Sequence, residues 1–130
     1  MPISSTLPYA SVTSPGLVTG GSLFKNDLPS GTAIDISASS GRVYYVELDN
    51  TANTSYSFVK LYDAASGSVT VGTTVPHIIL RADPSAILKI VVPKGLTFST
   101  ALCGVVVTAG GTGGTTAPTN AAILKVIVGS

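Results

Sequence analysis

The chain has very few of the residues from which catalytic and metal sites are built. Its 130 residues include one cysteine, one histidine and no tryptophan. A single cysteine excludes a disulfide within the chain, so the fold must be held by its core or by oligomerisation. One histidine and one cysteine, far apart in the sequence, also fall short of the His/Cys sets that bind zinc. We therefore expect no metal site and no cofactor.

Charged residues are also scarce, at 10% of the chain, against roughly 25% in typical soluble domains. Seven basic and six acidic residues give a net charge of +1, and the basic residues are scattered singly. Because nucleic-acid binding needs a basic stripe with interleaved aromatic residues, no nucleic-acid partner is expected. Little net charge opposes association, so the composition favours an assembled protein over a free monomer.

The sequence lacks the patterns of secretion and of membrane insertion. The residues after Met1 contain neither a basic stretch nor an apolar one, so no signal peptide is expected. No apolar run approaches the length of about 18 residues that a membrane helix needs. We therefore expect a protein that is made in the cytoplasm and has no membrane partner.

Residues 1–31 differ from the rest of the chain because they hold four of its eight prolines and many Ser and Thr. Proline fixes its own backbone angle and lacks an N–H donor, so neither a helix nor a long paired strand is expected there. The pattern predicts an extended N-terminal arm that becomes ordered against a neighbouring subunit, with a partly ordered tail as the alternative. Its removal is expected to leave a folded β-sandwich domain of residues 32–130. The apolar anchors of the arm would be Leu17, Val18, Leu23 and Phe24.

Residues 32–130 carry a regular succession of strand signals. Short runs of β-branched and aromatic residues are bounded by Gly, Pro, Asn and Ser, and no long segment has helical periodicity. Strands at this short spacing predict an all-β fold, an antiparallel β-sandwich or jelly roll of about eight strands. The predicted strands are 32–37, 42–50, 55–62, 77–82, 86–92, 102–108 and 122–128, with Pro93-Lys94-Gly95 ending the fifth and a short strand end at 96–98.

Alternation within these strands predicts which side chains face the core. Strand 55–62 differs from the others because both of its faces are apolar, so a single sandwich core cannot cover all of them. Such a strand is expected either to be central in its sheet or to have its second face covered by something else, and the latter fits an assembled protein. The predicted core positions are Val46, Leu48, Ile78, Leu80, Leu88, Ile90, Leu124 and Val126.

Three side chains could carry chemistry, and each has a simpler interpretation. Cys103 lies in an apolar run, where a free cysteine is usually a small buried residue. His77 follows a proline at a strand entrance and is expected to be an exposed edge residue. Glu47 could form a carboxylate pair with an aspartate on another strand, but it is expected on the solvent side of its own strand. No catalytic residue is therefore predicted, and the chain is expected not to be an enzyme.

The run Gly110-Gly111-Thr112-Gly113-Gly114-Thr115-Thr116 invites comparison with phosphate-binding loops. It lies within residues 109–121, between the predicted strands 102–108 and 122–128, and we call this segment the glycine loop. A P-loop requires Gly-Lys-Ser/Thr at the start of a helix, whereas here no lysine follows and the next element is a strand. A flexible loop at the edge of the sandwich is expected, with a contact loop that becomes ordered in an assembly as the alternative.

Five segments together resemble a known group of proteins: FVKLYD at 58–63, VGTTVP at 71–76, VVPKGLTFSTAL at 91–102, VVVTAGGTGGTTAP at 105–118 and LKVIV at 124–128. They are similar to small β-sandwich proteins from the virions of tailed bacteriophages, of the capsid decoration or cement type. The resemblance spans residues 42–128. One departure is Ala101, which stands after the FST corner where many such proteins have glycine.

The resemblance implies a structural virion protein that binds the major capsid protein at the capsid surface and stabilises the shell. It also implies a homo-oligomer, a trimer in the cement proteins that this chain resembles. Two alternatives stay open at this point. One is a component of the phage tail or baseplate, and the other is a carbohydrate- or receptor-binding β-sandwich module that uses its loops.

Overall fold

The computed structural model describes residues 22–28 and 31–130, and the side chain of Phe24 is the one described within residues 22–28. Strands account for nearly all of the regular structure in these ranges, where the helical exception is one 3₁₀ turn at Ser66–Ser68. The strands are β1 (Ser22–Leu28), β2 (Ile34–Ser37), β3 (Gly41–Asp49), β4 (Ser57–Tyr62), β5 (Ile78–Ala82), β6 (Ile87–Phe98), β7 (Leu102–Val107) and β8 (Ala122–Gly129).

The eight strands form two four-stranded antiparallel sheets. Sheet A has the order β1-β8-β3-β6 and sheet B the order β2-β7-β4-β5. Consecutive strands alternate between the sheets, except that β4 and β5 are neighbours in sheet B. Eight antiparallel strands in two packed sheets with such crossing connections form a jelly roll. The predicted all-β fold is therefore confirmed, and the strand order selects the jelly roll among the sandwiches considered.

The main hydrophobic core lies between the two sheets and contains all eight predicted core residues. Four of them come from the central strands β3 and β8 and are fully buried: Val46, Leu48, Leu124 and Val126. The other four lie on β5 and β6 and are half-buried: Ile78, Leu80, Leu88 and Ile90. The difference follows from position, since β5 and β6 are the last strands of their sheets and have a neighbour on one side only.

Strand β1 corrects the predicted boundary of the N-terminal arm. Its seven residues pair with β8 from end to end, and Phe24 packs against the main core. The sandwich therefore begins before residue 32, and removal of residues 1–31 would take away an edge strand of sheet A. The prolines that argued against a strand flank this segment at Pro15 and Pro29 rather than interrupting it. The rest of the predicted arm, residues 1–21, lies outside the described residues.

Strand β6 also departs from the prediction, because it continues through Pro93-Lys94-Gly95 for 12 residues in all. Residues 92–95 form a bulge opposite Tyr44 of β3, after which the pairing resumes. Gly95 has a φ of 75°, and a Cβ at this position would lie 2.9 Å from the Tyr44 ring. A bulge accommodates both the missing N–H of the proline and the positive φ of the glycine, so neither residue has to end the strand.

The second apolar face of β4 is covered by the chain itself. The outer face of sheet B carries a second cluster whose buried members include Tyr62 of β4 and Cys103, Val105 and Val107 of β7. Val69 and Val71, from the loop between β4 and β5, pack against it. The sequence is right that one core cannot cover both faces of this strand, but the cover in this structure is intramolecular.

We expect the substitution Leu48→Ala to lower the free energy of unfolding by about 2–5 kcal/mol, because it leaves a cavity at a fully buried position of the main core. Urea unfolding measures the change. Val91→Ala is the matched control, since Val91 lies on the neighbouring strand β6 with 55% of its surface exposed, and should cost about 0.5 kcal/mol or less. Equal costs at the two positions would show that the assignment of the core is wrong.

Candidate functional site

Cys103 and His77 lie in the environments that the sequence predicts. Cys103 is fully buried, and burial raises the pKa of its thiol to about 11, with a smaller contribution from Asp35. A protonated, inaccessible thiol is not a nucleophile at neutral pH. Its strand partner Tyr62 is also buried, and the phenol oxygen has no hydrogen-bond partner within the described part of the chain. His77 is exposed, and its Nδ1 accepts a hydrogen bond of 3.1 Å from the N–H of Asp63.

Glu47 is buried, contrary to the prediction of a solvent-facing carboxylate. Its carboxylate accepts a hydrogen bond of 2.7 Å from the Tyr45 hydroxyl and lies 3.5 Å from the Lys125 ammonium. Burial, together with this carboxylate, raises the pKa of Tyr45 to about 12. The alternation identifies the outward face of β3 correctly, but β3 lies between β8 and β6 in sheet A. Long side chains on the flanking strands therefore shield its outward positions.

Lys60 is the most unusual charged residue of the described chain, because it is fully buried on β4. Its ammonium donates hydrogen bonds of 2.7 Å to the carbonyl of Gly114 and 3.3 Å to that of Thr112, both in the glycine loop. Among the described residues no carboxylate forms an ion pair with it. Burial therefore lowers its pKa from the ordinary 10.5. The sequence did not single out this residue, since nothing local indicates that a lysine lies beneath a loop 50 residues away.

The glycine loop folds onto sheet B through close backbone contacts. A Cβ at Gly110 would lie 3.0 Å from the Phe58 ring, and one at Gly114 would lie 2.5 Å from the carbonyl oxygen of Ala109. The N–H of Thr108 also donates to the carbonyl of Thr116 across the base of the loop, at 2.8 Å. The difference from phosphate-binding loops that the sequence indicates extends to polarity, because this loop presents carbonyl oxygens to a cation of its own chain. The expected flexible loop is in fact held by specific contacts.

Asp63, directly after β4, holds the corner between β6 and β7. Its carboxylate accepts hydrogen bonds of 2.8 Å from the N–H groups of both Ser99 and Thr100, and one of 3.0 Å from the Ser99 hydroxyl. These backbone donors lower the pKa of Asp63 to about 2. The FST corner of the sequence is therefore fixed by a carboxylate that follows β4, the neighbour of β7 in sheet B.

A buried amide network joins the β3–β4 loop to the glycine loop at one end of the sandwich. The Asn53 side chain donates to the carbonyl of Asn120 at 2.9 Å and accepts from its N–H at 2.9 Å. The Asn120 side chain in turn donates to the carbonyl of Ala52 at 2.8 Å. Asn50 binds the hydroxyl of Ser57 and the amide of Asn53, at 2.7 and 3.1 Å.

Between these two loops lies a polar cleft with a volume of about 510 Å³. We call it the end cleft; residues 52–57 form one wall, and Thr108 and residues 116–120 form the other. Tyr56 lies in the first wall with 45% of its surface exposed. The guanidinium of Arg81 lies 4.6 Å from the centre of its ring, and Arg81 forms an ion pair of 3.4 Å with Asp83.

The side of the sandwich formed by the edge strands β5 and β6, which we call the β5–β6 side, is apolar and accessible. Within the described chain neither strand has a partner along its outer edge. An apolar cleft of about 230 Å³ opens between the sheets here, with Leu61, Ile78 and Phe98 in its lining. Large exposed apolar side chains lie on these two strands or just before β5: Val75, Ile79, Ile87, Val91 and Leu96.

Among the described residues, no three His, Cys, Asp or Glu side chains come together in a way that could hold a metal ion. The same part of the chain contains no helix with the length and apolar character needed to cross a membrane. The structure therefore offers two surfaces with distinct chemistry, the polar end cleft and the apolar β5–β6 side.

We expect Lys60→Met to lower the free energy of unfolding by about 1–3 kcal/mol, because two loop carbonyls lose their charged donor while the apolar stem is kept. Amide hydrogen exchange in the glycine loop should also become faster. Lys89→Met, at an exposed lysine on β6, is the control and should change neither quantity. Unchanged loop exchange in Lys60→Met would show that the ammonium does not hold the loop.

Stability should depend on Asp63 in acid. Its pKa falls from the ordinary 3.8 to about 2 on folding, so the unfolded chain binds more protons between these values. Stability is therefore lost as the pH drops through this window. We expect the Tm of Asp63→Asn to fall less than that of the original protein between about pH 4 and pH 2. Asp83→Asn should behave like the original protein, and parallel Tm curves for all three would contradict the assignment.

Comparison with known proteins does not extend the resemblance seen in the sequence. No protein-family model matches this chain, and no match was found among curated proteins.

Proposed function

We propose that the chain is a structural protein of a bacteriophage virion, a capsid decoration or cement protein that binds the major capsid protein and stabilises the shell. The resemblance of residues 42–128 to such proteins supports this proposal. The jelly roll is compatible with it, but a fold alone does not specify a function. By analogy with the proteins it resembles, the chain would form a trimer on the capsid surface.

The observation that carries the proposal is the exposed apolar surface of the β5–β6 side. Five large apolar side chains are exposed there, and Val75 and Val91 have 69% and 55% of their surfaces accessible. Large exposed apolar side chains on two edge strands favour a protein interaction site. Unpaired strand edges on the same side offer backbone groups for pairing with another chain.

The low charge of the chain supports the same proposal, since only 10% of its residues are charged. The two apolar faces of β4 do not support the proposal, because loops of the same chain cover the second face. We therefore propose that the interaction surface lies along the edge strands β5 and β6. Attachment through the predicted N-terminal arm is a further proposal, and its segment 1–21 can be removed without loss of β1.

We expect the double substitution Ile79→Glu/Val91→Glu to abolish self-association and attachment to the particle while the domain stays folded. Both side chains are exposed, at 38% and 55%, so the substitutions place charge in the contact surface and leave the core intact. Light scattering measures the molar mass, and cosedimentation with phage shells measures attachment. The variant should have the 13.0 kDa mass of one chain and remain in the supernatant.

Ser39→Glu/Ser40→Glu is the control, because it adds the same charge at an exposed turn between β2 and β3. It should assemble and attach like the original protein. Quantitative mass spectrometry of whole particles distinguishes the possible locations of the chain. A copy number close to that of the major capsid protein supports capsid decoration, and a few copies per particle support the tail or baseplate. The proposal is overturned if the original protein stays monomeric in solution and is absent from the particles.

A further inference from the structure

The end cleft has the size and the composition of a ligand site. Its volume of about 510 Å³ falls within the range of about 300–1,000 Å³ that is usual for small-molecule sites. Every lining residue among those described is a Ser, Thr, Asn, Ala, Pro or Tyr, so none of these residues brings a charged side chain into the walls. Arg81, which stacks over the Tyr56 ring at the cleft, forms an ion pair with Asp83. An ionic ligand would therefore find no countercharge in the walls.

The lining offers hydroxyl groups that are not used within the described part of the chain. The hydroxyls of Thr54, Ser55, Thr116 and Thr119 make no hydrogen bond to any described residue. Each can act as both donor and acceptor. A ligand that is neutral and rich in hydroxyl groups matches this set, because it too can donate and accept at each position.

Tyr56 adds an aromatic surface at the same cleft. Nearly half of its surface is exposed, at 45%, and the Arg81 guanidinium stacks over the ring at 4.6 Å. The stacking restricts the orientation of the ring. An exposed aromatic side chain beside hydroxyl and amide groups can pack against the C–H face of a sugar ring while its hydroxyls are hydrogen-bonded.

The two walls of the cleft are fixed relative to each other before any ligand arrives. Three hydrogen bonds of 2.8–2.9 Å join Asn53, Ala52 and Asn120 across its base. Asn53 is itself buried and anchored to Asn50. Since binding costs less when the site does not have to be ordered, this bracing favours recognition of a weakly interacting neutral ligand.

We propose that the end cleft binds a neutral carbohydrate, with the Tyr56 ring as the packing surface and the wall hydroxyls as hydrogen-bonding groups. The proposal depends on the cleft alone and holds for a capsid, tail or free location of the protein. Its test uses the purified full-length chain without particles, so its outcome is independent of the outcome for virion attachment.

The experiment follows amide chemical shifts by NMR during titration with maltohexaose, cellohexaose and chitohexaose. At least one of these should shift the amides of residues 54–57 and 116–120 with a Kd of about 1 mM or tighter. Tyr56→Ala should weaken that binding by at least about tenfold, while Tyr56→Phe keeps the ring and should bind like the original protein. Thr119→Val removes one wall hydroxyl at constant shape and should also weaken binding.

Thr73→Val is the matched control, because Thr73 is exposed in the loop between β4 and β5 and lies outside the cleft lining. It should bind the sugar like the original protein. The proposal is overturned if none of the three oligosaccharides binds, if the shifts lie outside the two walls, or if Tyr56→Ala binds unchanged. Binding of an acidic heparin-derived hexasaccharide in preference to all three would overturn it as well.

Discussion

The ammonium group of Lys60 lies beneath the glycine loop, with two backbone carbonyls as its hydrogen-bond acceptors and no ion-pair partner among the described residues. A buried charge without a countercharge is costly, and carbonyl dipoles offset part of that cost only while they stay in place. The loop and the ammonium therefore depend on each other, because the carbonyls of the loop replace the hydrogen bonds that water would supply to the cation. In this position it covers the outer face of sheet B near Phe58, which lets β4 be apolar on both sides.

Much of the fold could be predicted because alternation and turn residues are local signals. Leu48 and Val126 are fully buried, as predicted, since period-2 alternation reports the face of a strand directly. The same signal does not report what covers the other face, which is why Glu47 was wrongly expected in solvent. At β1, the high proline content of residues 1–31 as a whole argued against a strand, although the run after Pro15 that contains β1 has no proline. At β6, Pro93 and Gly95 predicted the end of the strand. The strand continues through a bulge, and a bulge depends on the partner strand, which the local sequence does not show.

The candidate sites were much less accessible to sequence reasoning. The sequence correctly predicted that Cys103 is buried and His77 exposed, but the groups that organise the loops are contacts between distant segments. Lys60 binds residues 52 and 54 positions away, and Asn53 binds Asn120 across 67 positions. Such pairs carry no short motif, and single asparagines and lysines are ordinary surface residues in a sequence. Their roles follow from the topology that brings the loops to one end of the sandwich.

The side chain of Asn53 holds Asn120 through main-chain groups. Its amide binds the carbonyl and the N–H of residue 120, and the Asn50 amide binds the carbonyls of Ser55 and Asp83. Main-chain groups are present whatever side chain a residue carries. Substitutions within 54–56 and 116–119 can therefore alter the surface of the cleft while its frame is kept. This separation of frame from surface makes the end of the sandwich evolvable: new ligand preferences can arise there by point substitution without a loss of folding.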